Sequence, residues 1–178
     1  MFKNEILENE NRRKIYTVIV SHPGIHLREL QRVLDIPLTT LDYHLSYMSR
    51  RNVVLREKNG AYMRYYAKPF DENDKLLFSA LRQKRMREIV FLVLLNQKAK
   101  VKLLADKLNL PRSTLSFYLK YLVEHNILER EKIGYENFYT VIDEDRIAKI
   151  LITYRSSFID KLVDKALNTW LETRFHRD

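Results

Sequence analysis

Apolar residues in the first third of the chain recur every three or four positions, which is the spacing of amphipathic helices. This period predicts three helices: Arg12–His22, Leu27–Leu34 and Leu38–Asn52. Leu27, Leu30, Val33 and Leu34 share one side of the second helix, and Leu41, Leu45 and Met48 form the inward face of the third. Pro23-Gly24 ends the first helix, and Pro37 separates the second from the third because it disfavours helical geometry in the preceding residue.

The pattern changes after Asn52, where β-branched and aromatic residues replace the helical period. Two strands, Val53–Arg56 and Tyr62–Tyr66, are predicted on either side of a turn over Lys58–Ala61. The predicted order is therefore three helices followed by a β-hairpin.

The same order returns 74 residues later. Positions 13–66 align without a gap to positions 87–140, and 15 of the 54 pairs are identical. The second copy predicts three helices and a hairpin: Lys84–Asn96, Val101–Leu108, Arg112–Asn126, Ile127–Lys132 and Glu136–Val141. Helix–helix–helix–hairpin with a short turn between the second and third helices is the winged helix-turn-helix order.

The fold class follows as α+β and mostly helical, with tandem winged helix-turn-helix domains and a C-terminal helical extension. We predict domains at 1–67 and 80–142, a linker at 68–79 and a C-terminal helix within 143–178. Asp74 is the predicted N-cap of a helix that enters the second domain. Apolar residues keep to one stripe from Ile147 to Trp170, so we expect a homodimer through residues 143–173, although the stripe also suits packing against the second domain.

The net charge of +9 is concentrated on the two repeats. Residues 11–67 hold ten Lys/Arg against four Asp/Glu, and residues 80–142 hold twelve against six. A basic repeat beside nearly neutral flanks predicts a polyanionic partner, most simply nucleic acid, whereas the alternative is a basic surface that serves solubility.

The third helix of such a domain presents its outward face to the major groove. In the second repeat the outward residues suit DNA, because arginine pairs with guanine, serine bonds bases or phosphates, and lysine meets the backbone. The candidate contacts there are Arg112, Ser113, Thr114, Ser116, Phe117, Lys120 and, on the hairpin, Lys132.

The first repeat is less suited to base reading. Its outward face includes the uncharged Leu38, and Asp42 would repel phosphates unless it accepts from a cytosine amine. The candidate contacts in this repeat are Thr39, Thr40, Asp42, Tyr43, Ser46, Arg50, Lys58 and Arg64. We expect the second repeat to read bases and the first to depend more on its hairpin.

Outward aromatic residues allow two interpretations. For the pair Tyr43/Phe117 we favour contact with DNA or with a protein partner, and for Tyr47/Tyr121 we favour packing against the core.

Other chemistry finds little support. The chain has no cysteine, so disulfides and thiolate metal sites are excluded, and His22 and His26 lack a third ligand. Neither paired carboxylates, nor a nucleophile with its base, nor a glycine-rich phosphate loop is recognisable, so we expect no enzyme, no metal and no cofactor. We expect no transmembrane helix and no signal peptide, since no apolar run approaches 18 residues, and a cytoplasmic location.

The segments Thr40–Leu45 and Thr114–Leu119 resemble the recognition-helix signature of ArsR/MarR-like winged-helix regulators, and Ala80–Ile89 resembles the ArsR-type entry. Two such units closed by a C-terminal helix are similar to archaeal transcriptional regulators with two helix-turn-helix domains, a likeness that covers residues 5–141. The resemblance implies double-stranded DNA as partner, and basal transcription factors as further partners. The metal-sensing cysteines of many ArsR proteins are missing, so metal sensing is not implied. A protein-interaction scaffold and a non-specific DNA-organising protein are the alternative functions.

Overall fold

The computed structural model describes residues 2–59, 61–154 and 157. The chain divides into two compact units, residues 1–79 and 80–178. We call them unit 1 and unit 2.

Unit 1 follows the predicted order with a short helix ahead of it and a short strand inserted. Its elements are α1 (Phe2–Ile6), α2 (Glu10–Ser21), β1 (Ile25–His26), α3 (Leu27–Leu34), α4 (Leu38–Arg50), β2 (Val54–Asn59), β3 (Tyr62–Ala67) and α5 (Glu72–Arg82), the last of which runs across the boundary between the units.

Local capping explains where the helices of unit 1 begin and end. The Asn9 side chain accepts a hydrogen bond from the backbone N–H of Arg12, which caps α2. His26 caps α3 in the same way by accepting from the N–H of Glu29. Asp35 ends α3 in the left-handed conformation, with φ at 53°, and the chain then turns into α4 after Pro37.

The sheet of unit 1 has the order β1-β3-β2, and both pairings are antiparallel. β3 is therefore the central strand, with Ile25 opposite Tyr65 on one side and Val54 opposite Ala67 on the other. Gly24, which precedes β1, adopts a positive φ of 73°, and a Cβ at this position would lie 3.2 Å from the Tyr66 hydroxyl. Only glycine fits this approach without strain.

Unit 2 repeats the arrangement. Its remaining elements are α6 (Lys84–Asn96), β4 (Ala99–Lys100), α7 (Val101–Leu108), α8 (Arg112–Glu124), β5 (Leu128–Ile133), β6 (Glu136–Val141) and α9 (Glu144–Thr153). The sheet order β4-β6-β5 matches that of unit 1.

The core of unit 1 lies between the helices and the sheet. Leu41, Leu45 and Met48 are fully buried in it, as the helical period predicted. Val33 does not join them, because 53% of its surface is exposed. At about 100° per residue Val33 lies about 60° beyond Leu30 around α3, at the edge of the apolar stripe.

Two further predictions need correction or fall outside the described residues. The predicted linker at 68–79 contains the first part of α5, the helix that was expected to begin there, and this helix starts at Glu72. Asp74 is not the N-cap, because its backbone N–H already donates to the Asp71 carbonyl within the first turn of α5. Of the predicted C-terminal helix the structure describes α9, which ends at Thr153 and has Ile147, Ile150 and Leu151 buried, and the predicted stripe beyond Tyr154 lies outside the described residues.

Candidate nucleic-acid interface

Helix α8 of unit 2 separates its two faces as the sequence predicted. Leu115, Leu119 and Leu122 are buried. The outward residues are exposed over about two and a half turns of helix: Arg112, Ser113, Ser116, Phe117 and Lys120. Arg112 is the first residue of the helix, directly after Pro111. Its side chain therefore stands at the helix N-terminus, where the free N–H groups and the helix dipole favour an anion such as phosphate.

A groove runs between α8 and the β5–β6 hairpin, with a volume of about 710 Å³. Five basic side chains line it: Lys100, Lys102, Arg112, Lys120 and Arg130. The acidic residues along it are Glu124 and Glu136, which lie 3.7 Å from Lys120 and 2.5 Å from Lys100. These pairs are solvent-exposed and therefore weak, so phosphates can displace the carboxylates at little cost. The groove keeps an excess of positive charge.

Burial raises the pKa of the Tyr139 phenol, a residue that also lines the groove, and the nearby Arg130 partly opposes that shift. The phenol is therefore neutral at any ordinary pH and does not diminish the positive potential of the groove.

The corresponding face of unit 1, between α4 and the β2–β3 hairpin, carries less net positive charge. Arg56 on β2 lies 3.6 Å from the Asp42 carboxylate on α4, and its Nη1 donates to the Ser46 hydroxyl at 3.5 Å. The charge of Arg56 is thus offset on the very face that would meet DNA. Leu38 and Tyr43, which are 36% and 64% exposed, make the rest of that face apolar.

The repeat makes this contrast a matched comparison. Arg130 in unit 2 aligns with Arg56, but the position of Asp42 is taken by Ser116. Among the described residues no carboxylate pairs with Arg130, which keeps its full charge beside α8. Sequence reasoning missed Arg130, Lys100 and Lys102 as groove residues; the alignment of Arg130 with Arg56 was the available signal.

The outward aromatic residues behave as two classes. Phe117 is 68% exposed and, like Tyr43, is available for contact. Tyr47 is half-buried and packs against the core of unit 1, and Tyr121 is half-buried and stacks on His125 with ring centroids 4.0 Å apart.

The remaining predicted contacts divide by exposure. Thr39, Arg50, Lys58 and Lys132 are exposed, whereas Thr40, Ser46 and Thr114 are half-buried.

Arg64 is a correction to the sequence prediction. Its side chain is 7% exposed and donates to the Gly24 carbonyl at 2.8 Å. The pairing of β1 with β3 places His26 opposite Arg64 and brings the preceding Gly24 carbonyl within reach of the Arg64 side chain. Arg64 is thus a structural residue of unit 1.

His44 in α4 is also buried, and burial is the main cause that lowers its pKa, with the charge of Arg12 adding to it. Across the described ranges, no three acidic or histidine side chains come together as a group that could hold a metal ion. None of the helices in this part of the chain is long and apolar enough to cross a membrane.

Each of the two units matches a known protein family in sequence. Residues 9–78 match the family HTH_HVO_0163_N, described as an N-terminal HTH domain. Residues 80–143 match a family described as the C-terminal domain of protein adenylyltransferase SoFic-like.

One curated relative is the "Uncharacterized HTH-type transcriptional regulator MJ1398" of Methanocaldococcus jannaschii, which is 31% identical over 139 residues. The alignment covers 78% of this chain and 35% of the relative, so the chain spans about a third of the length of that protein.

Among solved structures, HlyU from Vibrio cholerae aligns at 25% identity and a TM-score of 0.42 over 47% of this chain and 90% of that one. An ArsR family transcriptional regulator aligns at 17% identity and a TM-score of 0.35 over 60% of this chain and 91% of that one.

The prediction of a helix-turn-helix protein is confirmed by the family match over unit 1, where α3, the turn at Asp35–Pro37 and α4 form the motif. The chain carries a helix-turn-helix domain in residues 9–78.

Proposed function

We propose that this chain is a sequence-specific regulator of transcription that binds double-stranded DNA, with both units acting as winged helix-turn-helix domains. The single observation that carries the proposal is the exposed basic face of α8 beside the unpaired Arg130. The similarity to the archaeal relative, an HTH-type transcriptional regulator, supports the same function.

In this proposal α8 enters the major groove, whose width of about 12 Å accommodates one helix. Arg112 donates two parallel N–H bonds to the O6 and N7 acceptors of a guanine. Ser113 and Ser116 bond a base edge or a phosphate oxygen, and Phe117 packs on a thymine methyl or a sugar.

In this proposal, basic side chains on the β5–β6 hairpin and along the edges of the protein groove bind the phosphate backbone of DNA. Lys102, Lys120, Arg130 and Lys132 are exposed cations that neutralise phosphates and fix the register of α8 without reading sequence. In unit 1 the exposed Lys58 occupies the position of Lys132 and gives that unit a weaker backbone contact.

A homodimer through residues 143–173 would place two copies of α8 on half-sites about one helical turn apart. Within α9, Ile152 is 52% exposed, although Ile147, Ile150 and Leu151 are already buried in unit 2. This exposed apolar side chain supports an intermolecular contact.

The salt dependence of binding tests the proposal. The pure protein is titrated onto a fluorescent duplex by anisotropy between about 50 and 300 mM salt. Neutralisation of about six phosphates gives a slope near −5 in a plot of log K against log salt, at about −0.9 per contact. Weak binding with a shallow slope would refute the proposal.

A protein-interaction scaffold that acts with basal transcription factors is the second candidate. The α4 face favours it, because Asp42 offsets Arg56 there and the exposed side chains Leu38 and Tyr43 are apolar. A shallow salt slope together with retention of a transcription factor on the immobilised chain would support this candidate.

A further inference from the structure

We propose that unit 1 contains a second anion site, separate from the α8 face, which binds a phosphate group at the C-terminal end of α4. The site is a cavity of about 750 Å³ lined by Glu5, Ile6, Tyr47, Arg50 and Arg51. This inference does not rest on the proposed function: Arg50 is also a predicted DNA contact, but the cavity could bind a phosphate whether or not the chain binds DNA.

Two guanidinium groups lie over one aromatic ring, and a third arginine lines the same cavity. Those of Arg12 and Arg51 lie 4.4 Å and 3.7 Å from the centroid of Tyr47, and Arg50 lines the same cavity. The Tyr47 ring stabilises the two nearer cations through its π face, which holds them close together despite their mutual repulsion. A guanidinium over a ring keeps its in-plane N–H groups free, and these match the oxygens of a phosphate.

The arginines are not neutralised by the protein. Among the described residues no carboxylate pairs with Arg12, Arg50 or Arg51, although Glu5 borders the cavity. The Nε of Arg12 is buried and has no hydrogen-bond partner in the described part of the chain. Arg12 does not itself line the cavity, so an anion there would instead supply the counter-charge that the protein does not place beside Arg50 and Arg51, the two arginines on the cavity wall.

A purely structural role for these arginines, as cations that stabilise the C-terminal end of α4, is not supported by comparison with unit 2. Basic residues suit a helix C-terminus because they complement its dipole. However, α8 ends the same way with Glu124 and His125 at the positions of Arg50 and Arg51, and Met86 replaces Arg12. The second unit folds without these arginines, so the helix end does not require them.

The position sets this site apart from the outward residues of α4. Arg50 follows Leu38 by 12 residues, which is about 18 Å along a helix axis. Phosphate at this end comes from one of two sources: a small phosphorylated molecule, or the backbone of a nucleic acid whose path continues past α4.

The test uses the full chain with pyrophosphate as probe, followed by NMR of the arginine Nε–Hε signals. We expect saturable shifts at Arg50 and Arg51, and about a tenfold loss of affinity for each arginine removed in Arg50→Ala/Arg51→Ala. Glu5→Gln removes the carboxylate on the cavity wall and should strengthen binding about two- to fivefold. Lys107→Ala/Lys149→Ala removes the same charge from exposed positions of unit 2 and should leave affinity unchanged.

A second arm separates the two sources. If the phosphate belongs to a nucleic-acid backbone, pyrophosphate binds weakly, while Arg50→Ala/Arg51→Ala reduces the salt slope of duplex binding by about 1.8, at about 0.9 per contact. If neither the pyrophosphate shifts nor the slope depends on Arg50 and Arg51, the inference is overturned. An unchanged affinity in Glu5→Gln would also overturn it, because the anion would then lie outside this cavity.

Discussion

The substitution Ser116→Asp reproduces in unit 2 the arrangement that unit 1 already has. In unit 1 the carboxylate of Asp42 lies 3.6 Å from Arg56, and both are at least one-third exposed. Ser116 and Arg130 occupy the corresponding positions in unit 2, so the new carboxylate should pair with Arg130. Because Ser116 is exposed, the fold should tolerate the change, and an exposed pair contributes only about 0.2–1 kcal/mol to stability.

The effect on DNA binding is larger than the effect on folding. Loss of one phosphate contact at about 150 mM salt removes about 1 kcal/mol of counterion-release free energy, or roughly fivefold in affinity, and reduces the salt slope by about 0.9. The added negative charge also repels the phosphates near α8, so we expect a total loss of about 5- to 20-fold.

Anisotropy titrations of a labelled duplex at several salt concentrations measure both quantities. Ser116→Asn is the matched control, since it adds similar bulk without charge and should keep the wild-type slope. Wild-type affinity and slope in Ser116→Asp, with the thermal unfolding curve unchanged, would refute the reasoning that Arg130 beside α8 contacts DNA.

Three further predictions concern the scaffold. Arg64→Met leaves the Gly24 carbonyl without its donor and should lower the free energy of unfolding in urea by about 1–3 kcal/mol, while an unchanged midpoint would contradict the structural role of Arg64. Gly24→Ala should destabilise more than Gly134→Ala, because both positions have positive φ, at about 1–2 kcal/mol of backbone strain, but only at Gly24 does the new Cβ approach Tyr66; equal losses in urea denaturation would argue against that contact. Burial lowers the pKa of His44, so the unfolded state binds the extra proton and stability should fall as pH decreases from 7 through about 6.5 towards 5. Urea midpoints across this range should flatten in His44→Gln, and an unaltered pH profile would show that His44 is not the titrating group.

The helices were largely predictable because their signals are local. The boundaries of α3, α6 and α7 agree with the sequence prediction. A proline follows α3 and α7 within three residues, and α6 could be placed by its alignment with the first repeat. Because the sequence repeat shows the pattern of each element twice, even the two eight-residue helices α3 and α7 could be predicted.

The two-residue strands β1 and β4 could not be predicted. Two residues are too few to show a period, and their strand geometry comes from pairing with β3 and β6, which are distant in sequence. The burial of Arg64 has the same origin, because its acceptor, the Gly24 carbonyl, is brought to it by the long-range pairing of β1 with β3.

The candidate site was predicted in part. The outward residues of α8 followed from fixing Leu115 and Leu119 as core, and the structure leaves them exposed. Arg130 was missed because it reaches the groove from a strand. The pairing of Asp42 with Arg56 was missed for the same reason, since it joins a helix to a hairpin 14 residues later.

The most direct test of the central claim is selection of bound sequences from random duplex DNA, at about 150 mM salt, by the wild-type chain and by Arg112→Ala. The proposal that α8 reads bases predicts an enriched motif containing a guanine for the wild type, and loss of preference at that guanine for Arg112→Ala, with a penalty of about 1–3 kcal/mol at that base pair. An enriched motif that Arg112→Ala leaves intact would contradict base reading by α8. Binding without any enriched motif would contradict sequence specificity itself.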